Sequence, residues 1–207
     1  MKNRRIYNFN AYALLFYCIF YFLVIVYAFI NDQIFCLIYL QQPGVLLEAY
    51  LFPNEKSLLY EYMSHSRTYF EFGSGGSTHQ AAKRRLKIYT VEISPSWILL
   101  LKKEIQQISS SQNLNIDITY LLIDLQSKTE LTYSDFKNYI QNYNHTKYNA
   151  DLIYINGKYH FSCLMNIFNQ VSQKTIIIVH DFEDKGINES INTYFTTIKK
   201  VDETIVI

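Results

Sequence analysis

From residue 67 onward, short apolar runs, turn residues and amphipathic stretches follow one another in a regular rhythm, and this rhythm limits the fold more than any other feature. Residues 68–72 (Thr-Tyr-Phe-Glu-Phe) read as a strand, 73–77 (Gly-Ser-Gly-Gly-Ser) as a glycine-rich turn and 78–85 as a helix. Residues 87–91 read as a second strand. Ser94-Pro95 then starts a helix, with Ser as N-cap and Pro at the first helical position, that places Trp97, Leu100, Leu101 and Ile105 on one face. Further strands are expected at 116–123, 151–155, 175–179 and 204–207, with helices at 134–143, 161–171 and 188–198. The run 175–179 is wholly apolar or β-branched, which predicts a buried central strand. Strands alternating with helices imply an α/β fold: a doubly wound, mostly parallel sheet covered on both faces. Ligands of such sheets sit beyond the carboxyl ends of the strands, so the residues just after each strand are the candidate site.

The chain ahead of this rhythm is different. Residues 11–30 are twenty positions without a charge, Asn, Gln, Pro or Gly, a length that matches a helix spanning a bilayer. Tyr12, Tyr17, Tyr21 and Tyr27 are compatible with a membrane interface. A cleaved leader is the alternative, since Val26-Tyr27-Ala28 offers small residues before a cut, although the apolar run exceeds the usual ~7–15 residues. A buried or interfacial helix is the other. Lys2, Arg4 and Arg5 precede the span and no base follows until Lys56, which predicts a cytosolic N-terminus with the domain across the membrane, in the lumen of the endoplasmic reticulum or Golgi. A mitochondrial membrane is the other location left open. Asn144-His145-Thr146 and Asn188-Glu189-Ser190 are glycosylation triplets that agree with a luminal domain. The expected organisation is a basic tail at 1–10, a transmembrane helix at 11–30, a linker and helical region at 31–66 and the α/β domain at 67–207.

Charge argues about partners. Three of the 19 bases sit before residue 32, leaving 16 against 18 acids, a net of −2. A slightly acidic domain without a basic stripe is not expected to bind nucleic acid; the cluster Lys83, Arg84, Arg85 and Lys87 reads as a solvated helix end. Cys18, Cys36 and Cys163 have no metal-ligand spacing.

The chemistry concentrates at the first two strand ends. Gly73 and Gly75 let the backbone pass close to a ligand, and the following helix start offers free amides. Thr78 stands where a dinucleotide fold would want its third glycine, and Glu71 precedes the turn where a carboxylate suits a cationic ligand group better than a pyrophosphate. Both disfavour a nicotinamide-dependent oxidoreductase. Glu92 ends the second strand 19 residues after Gly73, where an acid can accept both hydroxyls of a ribose. Its alternative role is a helix-start acid.

Glu71-x-Gly73-x-Gly75 followed by Glu92 resembles the first two motifs of class I S-adenosylmethionine-dependent methyltransferases. The strings 70–78 and 91–97, with Ile155-Asn156-Gly157-Lys158 and His180-Asp181-Phe182, are similar to one methyltransferase-like group that carries valine-aspartate-glycine-arginine and histidine-aspartate-tyrosine boxes there. The resemblance covers 67–182 and implies a Rossmann-like methyltransferase fold. It implies S-adenosylmethionine as cofactor, with Gly73, Ser74 and Gly75 beneath it, Glu71 near its methionine part, Glu92 on its ribose and Asp124 on its adenine amine. Asp124 also reads as an ordinary turn former.

Two departures from the family pattern shape the expectations. Asn156 replaces the aspartate that is a metal ligand in metal-dependent relatives, so no metal is expected. The family fold continues into a final antiparallel strand, and the sheet is expected to lack it. A hydroxyl acceptor needs a base, and His180 with Asp181, after the fifth strand, is the candidate pair; His180 also reads as a strand-end residue bonded to backbone, and His160 as a helix-start residue. The leading expectation is a membrane-anchored methyltransferase acting on a glycan or small molecule. The alternative is a methyltransferase-like subunit without activity that serves in a membrane complex.

Overall fold

A computed structural model of the chain describes residues 48–125, 128, 130–182 and 194–207. The span expected at 11–30, and residues 188–193 of the expected last helix, lie outside them. No helix among the described residues is long and apolar enough to cross a membrane. Residues 46–207 form one compact unit.

That unit is a seven-stranded sheet with helices packed on it. In chain order it runs α1 (Pro53–Ser64), β1 (Thr68–Phe72), α2 (Gly76–Lys83), β2 (Lys87–Glu92), α3 (Pro95–Gln112), β3 (Ile118–Leu122), α4 (Tyr133–Ile140) and α5 (His145–Tyr148). Then follow β4 (Leu152–Ile155), α6 (His160–Ile167), β5 (Ile176–Val179), β6 (Lys199–Val201) and β7 (Thr204–Val206). The strand order is β3-β2-β1-β4-β5-β7-β6. β1 to β5 are parallel; β7 pairs antiparallel with both β5 and β6. The order reverses between β1 and β4, so the tips of these two strands open a crevice.

The expectation that the sheet lacks its last strand is therefore corrected. The β6–β7 hairpin supplies it, with Val206 and Ile205 paired to Ile178 and Val179. β6 escaped the sequence reading because it is short and charged: Lys199 and Lys200 are exposed on the sheet edge, the usual protection of an edge strand. The expected helix at 188–198 covered this region, but residues 195–198 are not helical and β6 begins at Lys199.

Local chemistry sets the other boundaries. In α3 the Ser94 side chain accepts from the Trp97 amide at 3.3 Å, and the helix runs to Gln112, where Asn113, with a left-handed φ of 50°, stops it. Thr132 and Asp135 form a reciprocal capping box on α4. Asn144 caps α5 through Lys147 N–H at 3.1 Å.

Much of the aromatic content is core. Phe70, Phe72, Val91, Ile153, Ile155, Ile177 and Val179 meet Tyr139, Tyr143, Tyr148, Leu164 and Ile167 on one face. Phe70 meets Tyr143 edge-on at 5.0 Å, and Phe72 meets Tyr139 at 5.8 Å.

Candidate functional site

The site is built where β1, β4 and β5 end side by side. Sheet pairing continues past the strands: Gly73 N–H donates to Val91 C=O at 2.8 Å, Asn156 N–H to Phe72 C=O at 3.0 Å, and His180 N–H to Ile155 C=O at 3.1 Å. Gly73, Asn156 and His180 thus stand in a row across three strand tips.

Gly73 has to be glycine. Its φ is +91°, and a Cβ there would lie 2.5 Å from the Gly157 Cα. Gly157 is pinned in turn, since its own Cβ would meet the Tyr139 hydroxyl at 2.2 Å. Gly75 is different: its φ is 170°, and a Cβ would have nothing nearer than the Trp97 ring at 3.9 Å. Space lies open over Gly75. Trp97 flanks this space and donates from Nε1 to the Ser74 carbonyl at 2.6 Å.

Two carboxylates hold the turn from below and from the side. Glu71 is wholly buried and accepts from the Tyr69 hydroxyl at 2.8 Å, the Ser77 hydroxyl at 2.7 Å and the Thr78 hydroxyl. Thr78 Oγ1 itself accepts from Gly75 N–H at 2.8 Å. A third glycine at 78 would break this relay. Glu92 is also buried: Oε2 accepts from Ser74 N–H at 2.9 Å and Ser74 Oγ at 2.7 Å, while Oε1 accepts from the Ile93 and Ser94 amides at 2.8 and 3.0 Å. The Ser74 hydroxyl sits on the carboxylate as an alcohol of a ligand would. The β3 exit runs alongside, with Ile123 N–H on Glu92 C=O at 2.8 Å and Leu125 N–H on Ile93 C=O at 3.3 Å, which brings Asp124 next to this edge of the turn.

Burial pushes the Glu71 carboxyl up from 4.5 to about 7, against the lowering effect of the hydroxyls that bond it. A carboxyl whose folded pKa is raised keeps a proton that the unfolded chain has lost. Its contribution to stability is therefore full below pH 4.5 and is lost as pH rises to about 7. Glu71→Gln is expected to remove that decline, so that the stability difference from wild type grows by roughly 3 kcal/mol between pH 4.5 and 7. Urea melts of both proteins across this window read it; parallel curves would refute the shift.

The other end of the row belongs to His180, which is 7% exposed. Its Nδ1 lies 2.8 Å from Asn156 Oδ1 and 3.6 Å from Asp181 Oδ1, and its Nε2 lies 3.5 Å from Glu55 Oε2. Asp181 is in the left-handed region, at φ +53°. Burial lowers the pKa of His160, at the start of α6, and the Asp181 charge partly opposes this shift. The sequence reading did not single out Glu55. It lies in the first turn of α1, is 1% exposed, and accepts from Phe52 N–H at 3.0 Å, Glu203 N–H at 2.9 Å and Thr204 Oγ1 at 2.9 Å. Pro53 followed by Glu55 marks a helix start, but no local signal says that the acid turns inward to the β6–β7 turn.

The structure thus brings Gly73, Ser74, Gly75, Glu71 and Glu92 into one bonded unit, with Asp124 at its edge and His180 and Asp181 on the far side of Asn156. Glu71 stands beneath the turn, its oxygens held by hydroxyls of the chain.

No family model and no curated protein matches the sequence. Solved structures do match in fold. A methyltransferase-like protein from Silicibacter pomeroyi, 14% identical, superposes with a TM-score of 0.59 over 77% of this chain and 87% of that one. A candidate caffeoyl-CoA O-methyltransferase from Staphylococcus aureus, 13% identical, gives 0.50 over 77% and 84%. An RNA methyltransferase from Salinibacter ruber in complex with S-adenosyl-L-homocysteine, also 13% identical, gives 0.49 over 76% and 90%. Likeness at such identities speaks for architecture alone: the domain has the fold of the class I S-adenosylmethionine-dependent methyltransferase-like proteins.

Proposed function

We propose that the chain binds S-adenosylmethionine and transfers its methyl group to a hydroxyl of a glycan or small molecule. The observation that carries this is Glu92 at the tip of β2, its carboxylate turned onto the glycine turn and already holding one hydroxyl, that of Ser74. The open space over Gly75, bounded by Trp97, fits a flat ligand portion against bare backbone. When bound, the cofactor supplies the electrophilic methyl group of its sulfonium. The residues do the remainder: Gly73, Ser74 and Gly75 form the floor, Glu92 takes the ribose hydroxyls, Asp124 the adenine edge, and Glu71 fixes the turn from below. At the acceptor end His180 with Asp181 takes up the hydroxyl proton. The uncharged run 11–30 and the bases before it support a membrane anchor with the domain on the non-cytosolic side.

A second reading keeps the fold and omits the reaction: a methyltransferase-like subunit of a membrane complex. It is favoured by Glu92 itself, whose two oxygens already receive four donors of the chain. Calorimetric titration with S-adenosylhomocysteine separates the readings. Wild type should bind, and Glu92→Ala should weaken binding by roughly 1–3 kcal/mol, the cost of unmet charged hydrogen bonds. Absence of wild-type binding at millimolar ligand would leave the structural reading standing.

A further inference from the structure

The large apolar side chains that stand exposed among the described residues gather at one end of the domain. Six of the nine lie at a strand exit or a helix start: Tyr50, Phe52, Leu122, Leu131, Tyr133 and Tyr159. Leu122 is the last residue of β3, Tyr133 the first of α4, and Phe52 and Tyr159 are the N-caps of α1 and α6. In a parallel sheet with helical crossovers, strands finish and helices start at the same end, which here is the end that holds Gly75 and His180. The start of α1 is fastened there too, because Glu55 in its first turn bonds the β6–β7 turn. The opposite end is charged, with Arg67, Lys87, Asp117 and Lys174 exposed where strands begin.

Tyr50 is 97% exposed and Tyr133 78%. Tyr133 leads inward through Phe136 at 6.3 Å, then Tyr159 at 4.8 Å and Tyr139 at 6.0 Å, so this part of the rim is the outer edge of the aromatic core, braced by ring contacts. An apolar rim held in place marks a surface that meets another apolar phase.

The point where the chain enters says which phase. The backbone of Glu48 lies across the first residue of α2: a Cβ on Gly76 would stand 2.1 Å from the Glu48 carbonyl and 2.2 Å from the Ala49 nitrogen. Ala49 is buried there and Tyr50 is exposed. The preceding chain, which carries the uncharged run 11–30, therefore joins the domain at the same end as the rim. Tyrosine suits the membrane interface, where its ring meets acyl chains and its hydroxyl the headgroups. Exposed charges at this end have both signs, Glu48 and Asp181 against Lys128 and Lys158, so the surface selects neither an acidic nor a basic partner.

We propose that this end of the domain rests on a lipid surface, with Tyr50, Phe52, Leu131 and Tyr133 at headgroup level and the space over Gly75 opening onto the boundary. This docking rests on the membrane anchor proposed above and adds that the site faces the bilayer.

Trp97, the chain's only tryptophan, flanks that space and reports on it. The full chain is reconstituted in phosphatidylcholine vesicles with and without a nitroxide on the headgroup, and its flotation with them is measured first. Trp97 fluorescence should fall about two-fold or more in the nitroxide vesicles, as for a ring at the interface. Tyr50→Ser combined with Tyr133→Ser, which removes exposed rings and keeps the fold, should restore most of the lost fluorescence while the protein still floats. A second reporter, Lys174→Trp combined with Trp97→Phe, stands at the charged end and should be unquenched. Thermal melts confirm that the variants are folded. Quenching is read without cofactor or acceptor, so it is independent of methyl transfer. A chain that does not float overturns the anchor and the docking together. A chain that floats overturns the docking alone if Trp97 is unquenched, if the Lys174→Trp reporter is quenched as strongly, or if Y50S/Y133S leaves the quenching unmoved. An unquenched Trp97 would give the rim to a protein partner instead.

Discussion

Replacing His180 by alanine is expected to lower methyl-transfer turnover about 10²–10⁴-fold while leaving S-adenosylhomocysteine affinity nearly unchanged. The split follows from position. In the proposed reading the cofactor floor is the unit of Gly73, Ser74, Gly75 and Glu92, bonded within itself, whereas His180 lies beyond Asn156 at the tip of β5. Glu55 would keep its bonds to Phe52, Glu203 and Thr204, so the hairpin should stay fastened. In the proposed reaction, proton removal from the acceptor passes through the His180–Asp181 pair. Loss of stability together with cofactor binding would make His180 a packing residue, and unchanged turnover would send the proton by another route.

Gly73→Ala is expected to destabilise the domain by about 3 kcal/mol or more, the sum of overpacking and of left-handed strain. The added methyl would stand 2.5 Å from Gly157 Cα and 2.8 Å from Gly157 N, and both are backbone that cannot swing aside. Gly75→Ala is the control. Its φ is extended and its nearest neighbour is Trp97 at 3.9 Å, so stability should stay within about 1 kcal/mol of wild type. The same methyl would fill the space over the turn and weaken S-adenosylhomocysteine binding. Urea midpoints and ligand titrations of the two variants should therefore show opposite patterns. A fold that tolerates alanine at 73 would contradict the contact between the β1 and β4 tips.

The local order of the domain was legible in the sequence because each signal is short-range. The glycine turn after an apolar strand, Ser94-Pro95 at a helix start and the apolar run 175–179 each report on their own few residues, and the structure has a turn, α3 and β5 there. Glu92 and Glu71 could be singled out for the same reason, since both lie within one strand–turn–helix unit. What the chain does with those acids was not legible. Glu71 is bonded by Tyr69, Ser77 and Thr78, and Glu92 by Ser74, Ile93 and Ser94, because burial requires a carboxylate to find donors, and only the packed turn decides which. β6 was invisible for an energetic reason: an edge strand with two exposed lysines buries little, and its pairing with β7 gives it order.

The least legible contact is that of Glu55 with Glu203 and Thr204, 148 and 149 residues apart in sequence. Nothing near Glu55 distinguishes it from any helix-start acid. The antiparallel closure of the sheet brings α1, the β5 tip and the β6–β7 turn to one place. The sequence by itself determined the alternation, the parallel core of the sheet and the glycine turn with its two acids. The tertiary structure alone decided the final hairpin and the bonding of Glu55 to the β6–β7 turn, because pairing free energy between distant segments leaves no periodic trace in either one.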